Sequence, residues 1–126
     1  AHHPEELRAC ISSVKALYPN KKITGIFQPH LYSRTRDFAE GFAESLDLLD
    51  KAILLDIYPA REKPIEGVNS EMLSKLMKNK NHLVSSKENL IDNLLHDRLE
   101  IVLTLGAGDI DKLVEPIELA LKNKIH

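Results

Sequence analysis

One stretch of the chain, "FQPHLYSRTRDF" (residues 27–38), combines residue types that can bind a negatively charged group. It places His30, Arg34 and Arg36 between two apolar runs. An arginine guanidinium holds a carboxylate or a phosphate through two parallel hydrogen bonds. The spacing therefore suits a site for a small anion.

A solvated turn is the alternative interpretation of the same residues, because Arg34 and Arg36 could pair with Asp37 or Glu40. Arginines near a helix start oppose the helix dipole, which favours acids there. A binding task would explain that mismatch. Both interpretations remain open from the spacing alone.

The sequence "GAGD" (residues 106–109) is the second candidate, since it directly follows an apolar run. It is similar to a phosphate-binding turn, but the third glycine of a dinucleotide fingerprint is missing. Asp109 also places a negative charge where a phosphate would lie. A tight turn that requires glycine is the alternative, and close approach of the Gly106 and Gly108 backbone to a ligand stays open.

Other chemistry finds little support in the sequence. The histidines are adjacent or scattered and form no metal-binding spacing. We find no serine or cysteine beside an evident base, so no catalytic group is complete. The pattern G-x-x-x-x-G-K-S/T is absent, so the chain has no recognisable means of holding ATP alone. Arg61, Glu62 and Lys63 lie in a polar stretch where solvated side chains are expected.

Composition narrows the class of protein. The chain has 126 residues, 43% of them hydrophobic and 29% charged, which predicts one globular domain. Its net charge of −2 argues against nucleic acid as the main partner. The single cysteine excludes a disulfide within the chain, and no apolar run is long enough to cross a membrane. A cytoplasmic location is expected.

Hydrophobic periodicity predicts strands that alternate with helices. Predicted strands cover residues 23–27, 52–57, 82–84 and 100–105, and predicted helices cover residues 3–17, 38–49, 70–77 and the segments after 85 and 109. Predicted helix caps are Ser33 or Thr35, Asn69 or Ser70, and a capping box of Ser85 with Glu88.

This alternation predicts a three-layer, Rossmann-like α/β fold, with a mostly parallel sheet and helices on both faces. In such sheets a ligand binds outside the carboxyl ends of the strands. The segments at those ends are residues 28–36, 56–66, 85–86 and 104–109. The histidine–arginine stretch therefore lies where a ligand is expected.

Four segments, taken together, resemble the C-terminal domain of the Mur ligases that join L-alanine to UDP-N-acetylmuramate. They are "AHHPEE", "IFQPHLYSRTRDF", "LLDIYPAREKPIEGVNS" and "VLTLGAGDI", and they occur in the family's order across nearly the whole chain. The pattern FQPH-x-Y-S/T-RTRDF is the most specific of them. The resemblance implies that residues 1–126 form a single domain of a three-domain enzyme whose UDP-sugar domain and central ATPase domain lie outside this chain.

The resemblance also implies a reaction. ATP and magnesium, bound mainly by the central domain, activate the lactyl carboxylate as an acyl phosphate, which the amine of L-alanine attacks in a cytoplasmic step of peptidoglycan synthesis. The C-terminal domain closes the cleft and positions the amino acid. Expected partners are UDP-N-acetylmuramate, L-alanine, ATP and the enzyme's own other domains, but no membrane. The isolated domain is expected to be inactive and to hold no cofactor or metal.

Matching the family motifs residue by residue implies roles for three side chains. His3 matches the second histidine of the interdomain "HHP" motif, near the amino-acid and phosphate region. His30 and Arg34 match groups that hold the alanine carboxylate.

Four further residues have supporting roles by the same resemblance. Arg36 adds positive charge, and Gly106, Ala107 and Gly108 match a loop that faces the same cleft. Many relatives have arginine directly after the "QPH" histidine, where this chain has Leu31, so Arg34 is expected to do more of the binding.

Two alternatives to this assignment remain. Another Mur-type ligase, such as one that recycles murein peptides, would share the "HHP" start. A free-standing α/β module could use the same sheet edge to bind a small anion.

Overall fold

The structure, a computed structural model, describes residues 3–58, 61–86, 88–90, 92 and 101–106. In these residues four parallel strands form one sheet in the order β3-β2-β1-β4. The strands are β1 (Ile23–Gln28), β2 (Lys51–Leu55), β3 (His82–Ser85) and β4 (Ile101–Gly106), and the helices are α1 (Pro4–Leu17), α2 (Tyr32–Asp37), α3 (Ala39–Leu46) and α4 (Ser70–Leu76). The predicted helices after residue 109 lie outside the described residues.

Strand β1 lies in the interior of the sheet, between β2 and β4. Gly25 is in register with Ala52 on one side and with Leu103 on the other. All six β1 residues are buried, as a strand covered on both faces requires. The strand predicted at residues 52–57 is also present, although it begins and ends earlier, at Lys51–Leu55.

Apolar side chains form separate clusters on the two faces of the sheet. On one face, residues of α1 and α3 such as Leu7 and Phe42 pack against Phe27, whose ring centroid lies 5.3 Å from that of Phe42. On the other face, Ile26 and Ile53 pack with Leu90. Because side chains alternate between the faces of a strand, consecutive β1 residues enter different clusters. The predicted three-layer arrangement is confirmed.

Helix α1 begins as the sequence predicts. Pro4 is its first residue, and the Nδ1 atom of His3 accepts a hydrogen bond of 3.2 Å from the backbone N–H of Glu5. Proline suits this position because the first helical N–H groups have no partner within the helix. Leu7 and Ile11 bury the apolar stripe of the helix.

The helix predicted at residues 38–49 is present as α3 (Ala39–Leu46), and a separate short helix that was not predicted, α2, precedes it and meets it at Phe38. The predicted capping roles of Ser33 and Thr35 are wrong, because Leu31 and Phe38 occupy the N-cap positions without a side-chain hydrogen bond. Thr35 Oγ1 donates instead to the Leu31 carbonyl, 2.8 Å away. Short polar side chains readily take such local backbone partners.

The other two predicted caps had different outcomes. Asn69 caps α4, since its side chain accepts a 3.0 Å hydrogen bond from the Met72 N–H. The capping box at Ser85 is wrong by one residue: Ser85 ends β3, and the hydroxyl of Ser86 accepts from the Asn89 N–H at 3.2 Å.

Candidate functional site

The direction in which strands are added to the sheet reverses beside β1. β2 and β3 follow on one side of β1, whereas β4 lies on its other side, where Gln28 is in register with Gly106. Ligands of open α/β sheets bind at such a switch point, beyond the carboxyl ends of the strands. The structure thus brings the segment after Gln28 and the start of the "GAG" loop together, while Ala107 and Gly108 lie outside the described residues.

A strained turn leads from β1 into α2. Leu31 has φ 69° and ψ 137°, and it is the one non-glycine residue with positive φ in the described part of the chain. Such a conformation costs about 1–3 kcal/mol and persists where its surroundings hold it. Tyr58 holds it: the Leu31 N–H donates to the Tyr58 carbonyl at 2.9 Å, and the Tyr58 N–H donates to the Pro29 carbonyl at 2.8 Å.

Tyr58 also orients His30. The two rings are stacked, with centroids 5.8 Å apart and planes inclined by 16°. The histidine is half-buried and lies two residues beyond β1. It is thus at the edge of the sheet formed by the carboxyl ends of the strands, here called the ligand edge. Its imidazole is therefore placed before any ligand arrives.

The two arginines of α2 have different surroundings. Arg36 Nε donates to Asp37 Oδ1 at 3.0 Å in an exposed ion pair, with 54% and 56% of the two side chains accessible. For Arg36 the solvated-turn interpretation fits this contact. Arg34 is half-buried, and its guanidinium has no carboxylate partner among the residues the structure describes. Among the described residues, the guanidinium of Arg34 is thus available to a ligand.

Glu62 contacts the first turn of α2. Its carboxylate accepts two hydrogen bonds from Ser33, one from the backbone N–H at 3.1 Å and one from the hydroxyl at 2.5 Å. The Ser33 hydroxyl, and next its amide, lower the pKa of the Glu62 carboxyl below its ordinary value. Arg61 and Lys63 are exposed, as predicted, whereas Glu62 is half-buried and makes a contact with Ser33 that was not predicted. Local sequence patterns do not predict this contact, because Ser33 and Glu62 are 29 residues apart in the chain.

Gln28 is a buried polar residue at the switch point that sequence reasoning did not single out. It is 2% exposed, and its Nε2 donates a 3.5 Å hydrogen bond to the Asp56 carbonyl. Its Oε1 is buried and has no hydrogen-bond partner within the described residues. Buried acceptors normally have a partner, so Gln28 adds a polar group to the site beside Gly106. The side chain of Asp56 is exposed.

His3 lies at the other end of α2. Its ring centroid is 4.9 Å from that of Phe38, and the two side chains line a shallow cavity of about 270 Å³ together with Arg8. None of the described contacts of His3 is with His30 or Arg34. The structure therefore places His3 against Phe38, which follows α2, whereas His30 precedes α2 and Arg34 lies within it.

Ser74 and His82 form a hydroxyl–imidazole contact that sequence spacing did not reveal. Ser74 Oγ lies 2.7 Å from His82 Nε2, and His82 Nδ1 lies 2.7 Å from the Asn79 carbonyl. Since a carbonyl only accepts, Nδ1 carries the proton and Nε2 accepts from the serine. His82 begins β3, so the pair lies at the amino end of the sheet, away from the ligand edge, and links α4 to β3. The expectation that no serine lies beside a base is therefore wrong for Ser74, which contacts His82.

The arrangement at the ligand edge suits binding rather than bond-breaking. Arg34 offers charge-assisted donors, His30 a fixed imidazole and Gln28 a buried amide. A guanidinium in this setting binds a carboxylate or a phosphate. Among the described residues, no group of three or more His, Cys, Asp or Glu side chains could hold a metal ion, and no helix is long and apolar enough to cross a membrane.

Comparison with known proteins identifies the family. The sequence profile of the Mur ligase glutamate ligase domain matches residues 1–108. The chain belongs to the Mur ligase family. It is 55% identical over its whole length to the UDP-N-acetylmuramate–L-alanine ligase of Parabacteroides distasonis, and 54% identical over 123 residues to that of Porphyromonas gingivalis. It spans 27% of the length of each of these two relatives.

Two solved structures share the fold. A murein peptide ligase from Psychrobacter arcticus superposes with a TM-score of 0.75 at 16% identity, over 98% of this chain and 26% of that protein. A folylpolyglutamate synthase from Thermotoga maritima gives 0.59 at 14% identity, over 91% of this chain and 26% of that protein. The predicted Rossmann-like α/β fold is thereby confirmed.

Proposed function

We propose that residues 1–126 form a single domain, the C-terminal domain of an ATP-dependent ligase that joins L-alanine to UDP-N-acetylmuramate through an acyl phosphate. Two relatives of that name are 55% and 54% identical to this chain over 126 and 123 residues, and the chain spans 27% of the length of each. The remaining length leaves room for a UDP-sugar domain and an ATPase domain. One structural observation carries the role of this domain: Arg34 is half-buried at the ligand edge, without a carboxylate partner among the described residues.

In this proposal Arg34 and His30 hold the carboxylate of L-alanine. With that end fixed, the amine is directed at the acyl carbon, which it must approach to about 3–3.5 Å. Arg36 contributes supporting charge, and Gly106, Ala107 and Gly108 border the same edge. Closure of the domain would exclude water, which otherwise hydrolyses an acyl phosphate.

His3 belongs to the junction with the preceding domain. It caps α1 through Nδ1, so its Nε2 carries the proton and can donate toward the amino-acid and phosphate region when the domains close. This placement agrees with its contact with Phe38, the residue that follows α2.

ATP and magnesium are assigned to the central domain outside this chain, where they activate the sugar carboxylate. The chain has no G-x-x-x-x-G-K-S/T pattern, and its described residues form no cluster suited to a metal. Its own task is to position the amino acid. The parent enzyme then works with UDP-N-acetylmuramate, L-alanine and ATP in the cytoplasm, in peptidoglycan synthesis.

The first test uses the full-length parent enzyme. Replacing Arg34 with Ala removes a charge-assisted contact worth about 1.5–3 kcal/mol, so KM for L-alanine should rise roughly 10- to 100-fold. KM for UDP-N-acetylmuramate should change less than about twofold, since that substrate binds elsewhere. The matched control is Arg36→Ala, which removes the arginine already paired with Asp37 and should have a smaller effect.

An unchanged alanine KM in the Arg34 variant would contradict the assigned role. Turnover of the wild-type parent with a murein tripeptide, and none with L-alanine, would instead identify the recycling type of ligase. Absence of any upstream ATPase domain in the native gene would support the free-standing binding module.

A further inference from the structure

We propose that Glu62 is a positioning residue for amino-acid binding: it fastens the β2–α4 loop (residues 56–69) to the first turn of α2 and so sets the orientation of Arg34. This inference rests on the proposed function, because it concerns the same carboxylate site. Glu62 does not touch the amino acid in this proposal; it acts through Ser33.

Two separate attachments join the β2–α4 loop to the segment between β1 and α2. At the first, Tyr58 exchanges two backbone hydrogen bonds with Pro29 and Leu31. At the second, the Glu62 carboxylate accepts both the N–H and the O–H of Ser33. The strained residue Leu31 belongs to the first attachment, and Arg34 directly follows the second.

Helix α2 needs such an attachment to hold one orientation. It has only six residues, and its N-cap residue, Leu31, makes no side-chain hydrogen bond. A helix this short is not stable by itself in water, so tertiary contacts must hold it. Through its backbone, Ser33 transmits the position of the loop to Arg34, the next residue in the chain.

The same contact occupies the carboxylate of an acid that lies at the first turn of α2. Glu62 is the half-buried acid of the loop, whereas Asp56 and Glu66 are exposed. Its carboxylate is occupied by two donors of Ser33. Hydrogen bonds to a charged group are stronger than neutral ones, which keeps this carboxylate in place. Arg34 therefore stays available for the carboxylate of the substrate.

The test compares Glu62→Ala, Glu62→Gln and Glu66→Ala in the full-length parent enzyme. Glu66 is the matched control, since it is an exposed acid of the same loop. In Glu62→Ala we expect KM for L-alanine to rise about tenfold, with kcat within about threefold and KM for UDP-N-acetylmuramate unchanged. Glu62→Gln keeps an acceptor for the Ser33 N–H and should recover most of the affinity. Glu66→Ala should match the wild type.

Three results would overturn the proposal: an alanine KM in Glu62→Ala equal to that of Glu66→Ala, a loss confined to kcat, or no recovery in Glu62→Gln. A wild-type parent that adds no L-alanine would refute the proposed function instead. In that event the contact between Glu62 and Ser33 is tested without the substrate. The measurement is the melting temperature of Ser33→Ala, of Glu62→Ala and of the double variant. A loss in the double variant no larger than that of Glu62→Ala supports the attachment, because Ser33→Ala removes only a bond that Glu62→Ala has already removed, and additive losses refute it.

Discussion

Arg34 and Arg36 show how far a residue's surroundings decide its use. Both arginines lie in one short helix, yet Arg36 pairs with Asp37 in solvent while Arg34 is half-buried. An exposed ion pair of this kind contributes about 0–1 kcal/mol, so Arg36 gains little from its partner. The sequence favoured Arg34 only through family resemblance, and the geometry now gives a physical reason for the same choice.

Glu62 should also make stability depend on pH. Its pKa is lowered in the folded chain by the Ser33 hydrogen bonds, so its contribution is fully present above the unfolded pKa, near 4.5. The contribution is lost as pH falls through the folded pKa, because protonation weakens both bonds. We expect the wild-type chain to melt at a higher temperature than Glu62→Gln at pH 6, and the difference to shrink toward pH 3. A constant difference across that range would contradict the assigned cause.

At the scale of elements, the turn between β1 and α2 could not be predicted from local pattern. Propensity favoured Ser33 or Thr35 as caps and one helix over residues 38–49. The structure instead places Leu31 at a positive φ and starts a new helix at Ala39. Backbone hydrogen bonds from Tyr58, remote in sequence, stabilise that conformation, and local propensity contains no information about them.

Strand β1 ends at this turn, and Gly25 within the strand allows it to pack closely against the core. A Cβ at Gly25 would overlap Leu49 Cδ1 and would lie 2.9 Å from Leu49 Cδ2, and Leu49 is itself 2% exposed. We expect Gly25→Ala to lower the free energy of unfolding by about 1–3 kcal/mol through overpacking. Urea denaturation of the 126-residue chain measures this loss.

The double variant Gly25→Ala with Leu49→Ala is the control for that mechanism. Removing the Leu49 methyl groups makes room for the new Cβ, so the double variant should lose less than the sum of the two single losses. Additive losses would show that the two positions do not compete for space.

At the scale of the whole molecule, the strand order creates the edge at which we propose that the ligand binds. Because β4 returns to the far side of β1, residues near positions 30 and 106 become neighbours at one end of the sheet. The Ser74–His82 contact lies at the opposite, amino end of the sheet, away from the switch point between β1 and β4. The position of a polar cluster in the sheet therefore distinguishes a candidate binding site from a structural contact.

The isolated chain should fold but not catalyse. Its two apolar clusters give it a core of its own, so we expect cooperative unfolding. It lacks a P-loop pattern, so no ADP should form when it is mixed with UDP-N-acetylmuramate, L-alanine and ATP. A coupled assay for ADP measures this, with the full-length parent as the positive control. ADP formation above background would contradict a purely substrate-positioning role.

The sequence by itself determined the fold class, most strand positions and the family, because hydrophobic periodicity and the "FQPH…RTRDF" motif are local features. It also determined the candidates His30 and Arg34 through that motif. Only the tertiary structure decided that Arg36 is already paired, that His3 packs against Phe38, and that Glu62 holds Ser33. Each of these depends on where side chains meet in space, and contacts such as Glu62 with Ser33 join segments that the sheet topology brings together.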